Sequence, residues 1–337
     1  VFTVDIIEVM ANCLLTLESG TTCTAWNNCG ERLAAGSING YLSIFDSPEL
    51  ARSSSSSYIC TSKNRVHKDN AEIIKVVWIP PEYGDAIACI FNDGSLSIWE
   101  EVSDEENTIR WKQCKNFPRI LAKALDVQFG LISSGLKMVV AYSNGQLKIY
   151  ELMDSLELSE WQLQAEFLNM VLSSSSPLRA TCYSASISWI PRRGDTQEPS
   201  FVLGFNSDTP ELNSPKVWEF DKAHNRWLPV AQLAAPSETN DKVLAVAWAT
   251  NIGRPYEVIA AATSTGVAIW HVGLSPDADG RLSVKRAALL SGFEGEVTEM
   301  EWDAGGFNLA TTATDGAVRL WQSNFKGVWF QQAAFQS

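Results

Sequence analysis

One short pattern recurs along the chain and limits the folds open to it: an apolar strand, a tight turn, and a second strand that ends in an aromatic residue. The turn pairs are Asn39-Gly40, Asp93-Gly94, Asn144-Gly145, Thr265-Gly266 and Asp315-Gly316, and the strands that follow them end at Phe45, Trp99, Tyr150, Trp270 and Trp321. Asn-Gly and Asp-Gly favour two-residue hairpin turns, because both central residues there adopt a positive φ. The strands alternate with a period of two rather than 3.6, which excludes a helical repeat.

The spacing of a second set of aromatic residues completes the repeat. Trp26, Trp78, Phe129, Trp248 and Trp302 stand 19 to 22 positions before the closing aromatic residues, and a sixth unit with a longer loop runs from Trp189 to Trp218. One more short strand precedes each unit. Six units of four strands predict an all-β, six-bladed WD-repeat β-propeller, and a β-sandwich array with chance turns is a remote alternative. We expect the upstream aromatic residues to pack between neighbouring blades.

The predicted domain is a single propeller over residues 12–335, with blades that start near residues 22, 73, 124, 182, 243 and 296. Residues 1–11 would be an extension of undetermined origin. Both Leu14–Leu17 and Val328–Phe335 could supply the outer, fourth strand of the sixth blade. The sequence therefore contains 25 candidate strands, whereas six four-stranded blades need 24. The residues alone leave both readings open. A strand left over in this way would have unpaired backbone groups, to which another chain can add a strand.

Charge and composition exclude several function classes. The chain carries 26 basic and 39 acidic residues, a net charge of −13, which argues against nucleic-acid binding and against docking on anionic lipid. No apolar run is long enough for a membrane span. Seven cysteines without a CxxC motif and only three histidines favour neither a disulfide framework nor a metal site.

No arrangement typical of an enzyme is present either. The chain lacks GxSxG, Walker and HExxH motifs and any Cys/His cluster with ligand spacing. Glu299 and Glu301 share one strand face and could perform acid–base chemistry, but solvated edge charges are far more common. The acidic residues Glu100, Glu101 and Asp104–Glu106 are interpreted as a solvated loop, with a surface for a basic partner as the less favoured alternative. We therefore expect no enzymatic activity, no catalytic or metal-binding residues and no cofactor.

Four stretches outside the generic repeat carry a family resemblance: Glu18–Asn27, Trp161–Phe167, Ala223–Trp227 and Asn251–Val258. They resemble the SEH nucleoporins, the sec-thirteen homologues, in their plant form, and the resemblance extends from about Leu14 to Gln332. Phe293 departs from the pattern, since Gly-His is usual before an inner strand.

The resemblance implies an open propeller that is a structural scaffold subunit of the Y-shaped nuclear pore coat. Such a subunit sits at the nuclear envelope and supports pore assembly and the transport of mRNA and protein. Its partners would be an α-solenoid nucleoporin that inserts a seventh blade in trans and other Y-complex nucleoporins, with no direct nucleic acid and no direct membrane insertion. A second family role lies in the SEA (GATOR-two) complex, which regulates TOR signalling at the cytoplasmic face of the lysosome or vacuole. The alternatives are a sec-thirteen-type propeller of the COPII coat and a peptide-binding WD-repeat adaptor.

The inserted blade is expected to fill a gap between the first and sixth blades. The residues predicted to flank that gap are Leu14, Leu15, Leu17, Thr22, Thr24, Trp26, Val297, Met300, Trp302 and Leu320. Leu14, Leu15 and Leu17 would pair edge-on with the partner's strands through backbone hydrogen bonds. This reading favours the C-terminal strand as the one that completes the sixth blade.

Overall fold

The computed structural model describes residues 15, 17–51, 57–67, 69, 71–103, 109–117, 120–132, 135–169, 180–192, 194, 197–234 and 241–336. Within these ranges the chain forms 24 β-strands in six antiparallel sheets of four strands. Each sheet is built from four strands that follow one another in sequence, and we number the sheets blades 1 to 6. We call the first strand of a blade its inner strand and the fourth its outer strand. These sheets confirm the predicted fold class, an all-β six-bladed WD-repeat propeller.

The blades fall into two compact units. The first unit comprises Val1–Ala124 and Asp154–Glu160 and holds blades 1 and 2. Blade 1 consists of β1 (Thr21–Trp26), β2 (Arg32–Ser37), β3 (Tyr41–Asp46) and β4 (Ile59–Arg65). Blade 2 consists of β5 (Ile73–Trp78), β6 (Ala86–Phe91), β7 (Leu96–Ser103) and β8 (Ile109–Asn116), with a 3-10 turn at Pro81–Tyr83 between β5 and β6.

The second unit comprises Leu125–Met153 and Trp161–Ser337 and holds blades 3 to 6. Blade 3 consists of β9 (Ala124–Ile132), β10 (Gly135–Tyr142), β11 (Gln146–Leu152) and β12 (Trp161–Leu168). Blade 4 consists of β13 (Cys182–Trp189), β14 (Ser200–Ser207), β15 (Lys216–Asp221) and β16 (Arg226–Gln232), with the short helix α1 (Pro210–Asn213) before β15. Blade 5 consists of β17 (Val243–Trp248), β18 (Tyr256–Thr263), β19 (Gly266–Pro276) and β20 (Leu282–Leu290). Blade 6 consists of β21 (Val297–Trp302), β22 (Asn308–Ala313), β23 (Ala317–Ser323) and β24 (Trp329–Gln336).

The C-terminal strand completes blade 6. Strand β24 pairs antiparallel with β23, with Phe335 opposite Val318 and Ala333 opposite Leu320. Leu15 and Leu17 lie outside any strand, while Leu14 and Thr16 lie outside the described residues. The predicted leftover strand at the N-terminus is therefore not seen in the part of the chain that the structure describes.

A β-bulge near the start of the inner strand recurs in five of the blades. Register shifts fall between Thr21 and Cys23, Ile73 and Lys75, Cys182 and Ser184, Val243 and Ala245, and Val297 and Glu299. A bulge inserts one extra residue, so the simple alternation of side chains between the two faces fails across it. This irregularity decides which residues of each inner strand face the neighbouring blade.

The apolar core lies between neighbouring blades of the same unit. In the first unit, Ala34 and Ile44 of blade 1 pack with Ile73 and Val76 of blade 2. In the second unit, the core between blades 5 and 6 includes Ala245, Ile269, Val297, Leu309 and Trp321. Burial of both faces explains why the middle strands read as nearly continuous apolar runs.

Phe293, which departs from the family pattern, packs against Trp321 at a ring-centroid distance of 5.5 Å. The guanidinium of Arg319 lies 5.3 Å above the Phe293 ring and donates to the Asp315 carboxylate at 2.7 Å. The hydrogen bond from Arg319 is the main cause that lowers the pKa of Asp315 to about 2. Arg319 thus forms an ion pair with Asp315 in the turn, and its guanidinium also packs on the Phe293 ring.

A lysine is buried in blade 4. Lys216 is 2% exposed, and its ammonium donates to the carbonyl oxygens of Glu211 at 2.8 Å and Ser214 at 3.2 Å. Burial lowers the pKa of Lys216 from 10.5 to about 8, because desolvation penalises the charged form.

We expect the stability difference between the wild type and a Lys216→Met variant to depend on pH. Between about pH 8 and 10.5 the unfolded chain holds the Lys216 proton more tightly than the folded chain does, so the wild type gains stability as the pH rises. The gain relative to Lys216→Met is about 3 kcal/mol over this window, since each pKa unit corresponds to about 1.4 kcal/mol. Urea unfolding of both proteins at pH 7.5 and pH 10 measures it, and a constant difference would contradict the assignment.

Candidate partner-binding faces

Neighbouring blades within a unit are joined by a repeated contact of the inner strand. The aromatic residue at the end of one inner strand donates its indole N–H to a backbone carbonyl on the inner strand of the preceding blade. Trp78 donates to Ala25 at 2.9 Å, Trp189 to Gln128 at 3.3 Å and Trp302 to Ala247 at 3.1 Å. Since Trp248 instead bonds Glu257 of its own blade at 3.0 Å, the contact has one exception among these tryptophans.

Trp26 occupies the same position in blade 1 but is 50% exposed. Its indole N–H has no hydrogen bond to any described residue, and its ring packs edge-on against the Tyr58 ring at a centroid distance of 5.1 Å. Thr24 is also exposed, and it lies on the same face of the sheet because it is two residues from Trp26 with no bulge between them. The face of blade 1 that carries Thr24 and Trp26 therefore exposes apolar surface and an indole N–H donor. At Trp78, Trp189 and Trp302, the equivalent donor is bonded to the preceding blade.

The N-terminal residues cover another part of this face. Leu15 and Leu17, together with Tyr58, pack against the buried side chains of blade 1. The side chains that they contact are Leu33, Ala35 and Phe45. In the described structure, Leu15 and Leu17 thus contribute side-chain packing rather than strand pairing.

Blade 6 also has a free face, which the strand register defines. Residues opposite each other in neighbouring antiparallel strands share a face. One row across the sheet is Glu299, Thr312, Val318 and Phe335, a second is Glu301, Ala310, Leu320 and Ala333, and a third is Asn308, Gln322 and Phe330. Phe330 is 44% and Phe335 is 47% exposed, which leaves an apolar outer part on this face.

The structure corrects four of the predicted site residues. Val297, which is 2% exposed, packs with Met300 and Trp302 in the core against blade 5, so these three face away from the free side of blade 6. The hydroxyl of Thr22 donates to the backbone carbonyl of Ile73 in blade 2. The bulges at the start of β1 and β21 cause part of the error. The other part of the error arises because an inner-strand tryptophan faces the preceding blade. In blade 1 this side is the exposed one, whereas in blade 6 it packs against blade 5.

Thr24, Trp26 and Leu320 do lie on the two free faces, and Leu14 lies outside the described residues. Sequence reasoning missed Phe330 and Phe335. The alternation of side chains between the two faces of β24 could have indicated them. It assigns them to this face only once the register of β24 against Val318 and Gln322 is known.

The sequence also did not predict a cluster of charged side chains around the buried Arg32 in the first unit. The guanidinium of Arg32 contacts three carboxylates: Asp46 at 2.9 Å, Asp85 at 3.1 Å and Glu101 at 2.6 Å. Glu101 lies in β7 and is mostly buried, so the interpretation of this acidic run as a solvated loop is wrong for its first two residues, while 104–106 lie outside the described residues. Burial raises the pKa of Glu101 even though Arg32 lowers it.

Among the described residues, no group of three His, Cys, Asp or Glu side chains is placed to hold a metal ion. His271 stacks on Tyr256 at a centroid distance of 4.0 Å, and burial lowers its pKa. None of the described helices has both the length and the apolar character that a membrane crossing requires.

Comparison with known proteins gives one short repeat match and several relatives that align over most of the chain. The family model "WD domain, G-beta repeat" matches residues 285–322. The chain is 56% identical to "Protein SEH1" of Arabidopsis thaliana over 327 residues, which cover 97% of this chain and 99% of that protein. "Nucleoporin SEH1" of Homo sapiens is 25% identical over 312 residues, and "Nucleoporin SEH1-A" of Xenopus laevis is 24% identical over 311 residues. Each of these two alignments covers 89% of this chain and 81% of the relative.

Proposed function

Because the chain belongs to the SEH1 family of nucleoporins, we propose that it is a structural subunit of the nuclear pore complex and has no catalytic activity. The observation that carries this proposal is the pair of free blade faces. A scaffold subunit needs surfaces that remain incomplete until a partner covers them, and exposed apolar sheet faces of this kind mark protein–protein contacts.

The finer proposal is that an α-solenoid nucleoporin of the Y-shaped coat supplies a blade in trans. Trp26 supports it, because its indole N–H has no acceptor among the described residues, whereas Trp78, Trp189 and Trp302 donate theirs to the preceding blade. The carbonyl of the partner's inner strand would accept that hydrogen bond. Phe330 and Phe335 support it from blade 6, where a partner would bury them. The same faces would serve the SEA (GATOR-two) assembly at the lysosome or vacuole and its regulation of TOR signalling.

Purification of the tagged endogenous chain tests the function directly. We expect most of the chain to migrate in a large stable assembly that contains an α-solenoid nucleoporin, as identified by mass spectrometry. The isolated chain should oligomerise through its free faces, and the N-terminal segment of that nucleoporin should restore a monodisperse complex. A heat-stable monomer that binds no nucleoporin would contradict the proposal.

A proline at position 15 distinguishes two ways in which Leu15 could contribute to partner binding: backbone pairing with a partner strand or side-chain packing. If Leu15 pairs with a partner strand through its backbone, Leu15→Pro weakens binding far more than Leu15→Ala, because proline removes the N–H and fixes φ. We expect this larger loss, about tenfold in Kd, as measured by calorimetry with the solenoid segment. A proline at Glu105 is the control and should leave binding unchanged. Equal losses for the two Leu15 variants would mean that only side-chain packing against Leu33 and Phe45 matters.

A further inference from the structure

Side-chain oxygens on an inner strand accept hydrogen bonds from the backbone of the blade that follows. In the second unit, Asp126 of blade 3 accepts from the backbone N–H of Ile187 at 2.7 Å. In the next pair of blades, Ser186 and Ser188 accept from the backbone N–H groups of Val246 and Trp248, each at 3.0 Å. These acceptors lie one or three positions before the inner-strand aromatic residue.

Glu299 and Glu301 hold the same two positions before Trp302 in blade 6. Both are exposed, and neither carboxylate has an ion pair or hydrogen bond with any described residue. The equivalent positions of blade 5 are Ala245 and Ala247, which are buried against blade 6 at 5% and 6% exposure. Blade 5, which packs against blade 6, thus has small neutral side chains where blade 6 has two exposed carboxylates.

A partner that covers blade 6 must therefore compensate two negative charges. Taking an ionised carboxylate out of water is costly unless a charged or hydrogen-bonding group replaces the water. Asp126 shows that backbone N–H groups can satisfy one carboxylate, since it accepts from Val127 at 2.8 Å as well as from Ile187. Glu299 and Glu301 lie two residues apart on one face, so they repel each other and also require a positive charge once they are desolvated.

The character of the free face changes across blade 6. The inner strand contributes the acidic Glu299 and Glu301, and the outer strand contributes Phe330 and Phe335. The middle strands between them contribute only uncharged residues, both apolar and polar. A complementary sheet would have the reverse arrangement, with basic residues on the strand next to β21 and apolar residues on the strand next to β24. This order of charge and apolarity also fixes the direction in which such a sheet can lie.

We propose that the partner segment that covers blade 6 carries lysine or arginine side chains on its inner strand, facing Glu299 and Glu301. The inference rests on the proposed function, since it specifies the chemistry of the inserted blade. Charge pairing at this position would select the correct blade and reject others, because like charges across an interface are strongly unfavourable.

Affinity measurements with the solenoid nucleoporin segment that co-purifies with the chain test this inference. The variants are Glu299→Gln with Glu301→Gln, which remove the charge but keep one acceptor oxygen on each side chain, and Glu299→Lys with Glu301→Lys, which reverse the charge. We expect the Kd to rise about fivefold for the first pair and about fiftyfold for the second. The affinity of the wild type should fall as salt rises from 50 to 500 mM, and the glutamine pair should show a weaker salt dependence.

The control pair is Glu157→Lys with Glu160→Lys, two exposed loop residues that give the same change in net charge. This pair should bind like the wild type. If the wild type binds the segment and the Glu299→Lys, Glu301→Lys protein binds equally well, the charge pairing is wrong while the blade-accepting function stands. If the wild type binds no solenoid nucleoporin, the proposed function itself fails, and the inference fails with it. Rescue of the lysine pair by glutamates on the partner's inner strand would establish the pairing.

Discussion

Aspartate at both Phe330 and Phe335 should abolish binding of the blade-donating partner, with a rise in Kd of at least about 100-fold. Both rings lie on the outer strand of blade 6, 44% and 47% exposed, and on the face opposite its packed contact with blade 5. A partner that buries them gains the hydrophobic contribution of two aromatic side chains, and a buried central aromatic residue contributes about 2 kcal/mol or more to an interface. The aspartates remove this contribution and place two charges where the complex excludes water.

The folded chain should tolerate these two changes, because the rings are half exposed before binding. Thermal unfolding should therefore shift by only a few degrees. Phe325→Asp is the matched control, since Phe325 is 96% exposed at the turn between β23 and β24 and belongs to neither free face. Tight binding by the Phe330→Asp, Phe335→Asp protein would show that the partner uses a different surface.

Replacement of Arg32 by methionine should destabilise the chain by about 3–5 kcal/mol, the usual cost of removing one partner from a buried charge cluster. Arg32 has a side-chain exposure of 7%, and its three guanidinium nitrogens each reach a different carboxylate, those of Asp46, Asp85 and Glu101. Methionine fills similar space but leaves Asp46 and Glu101 buried without a cation. Lysine should also fail, with a loss of about 2 kcal/mol, because a single ammonium cannot reproduce the planar fork.

The pH dependence of the Arg32→Met protein provides a second measurement. Burial already raises the pKa of Glu101 in the wild type, and loss of the guanidinium should raise it further. A carboxyl group with a raised folded-state pKa binds its proton more tightly in the folded chain, so the variant gains stability as the pH falls. The deficit relative to the wild type should shrink from pH 7 to pH 5. Arg281→Met, at an exposed loop position, is the control and should change stability by less than about 0.5 kcal/mol.

The sequence alone predicts the blades well, because each blade has local signals. The Asn-Gly and Asp-Gly turns, the alternating strands and the paired aromatic residues all act over about 20 residues. Even the choice of the C-terminal strand for blade 6 follows once a family is considered. The faces of the blades are harder to predict. One inserted residue after Thr21 or Val297 reverses the alternation, and no turn residue or composition marks a bulge of this kind.

Long-range electrostatics were beyond sequence reasoning for a different reason. Arg32, Asp46, Asp85 and Glu101 come from four strands or loops of two blades, and no spacing connects them. The burial of Lys216 was also not predictable from the sequence. Its ammonium is desolvated and donates to two backbone carbonyls of blade 4. The exposure of Trp26 could not be predicted from its local sequence, which matches that of the tryptophans that contact a preceding blade.

Each described blade uses four consecutive strands, and this has a consequence for how the chain folds during synthesis. Every described backbone ladder closes within one stretch of sequence, so the strands of a blade pair without any distant part of the chain. A blade can then form on the ribosome as soon as its fourth strand has emerged, without waiting for the C-terminus, much as repeat proteins grow by adding units to a folded neighbour.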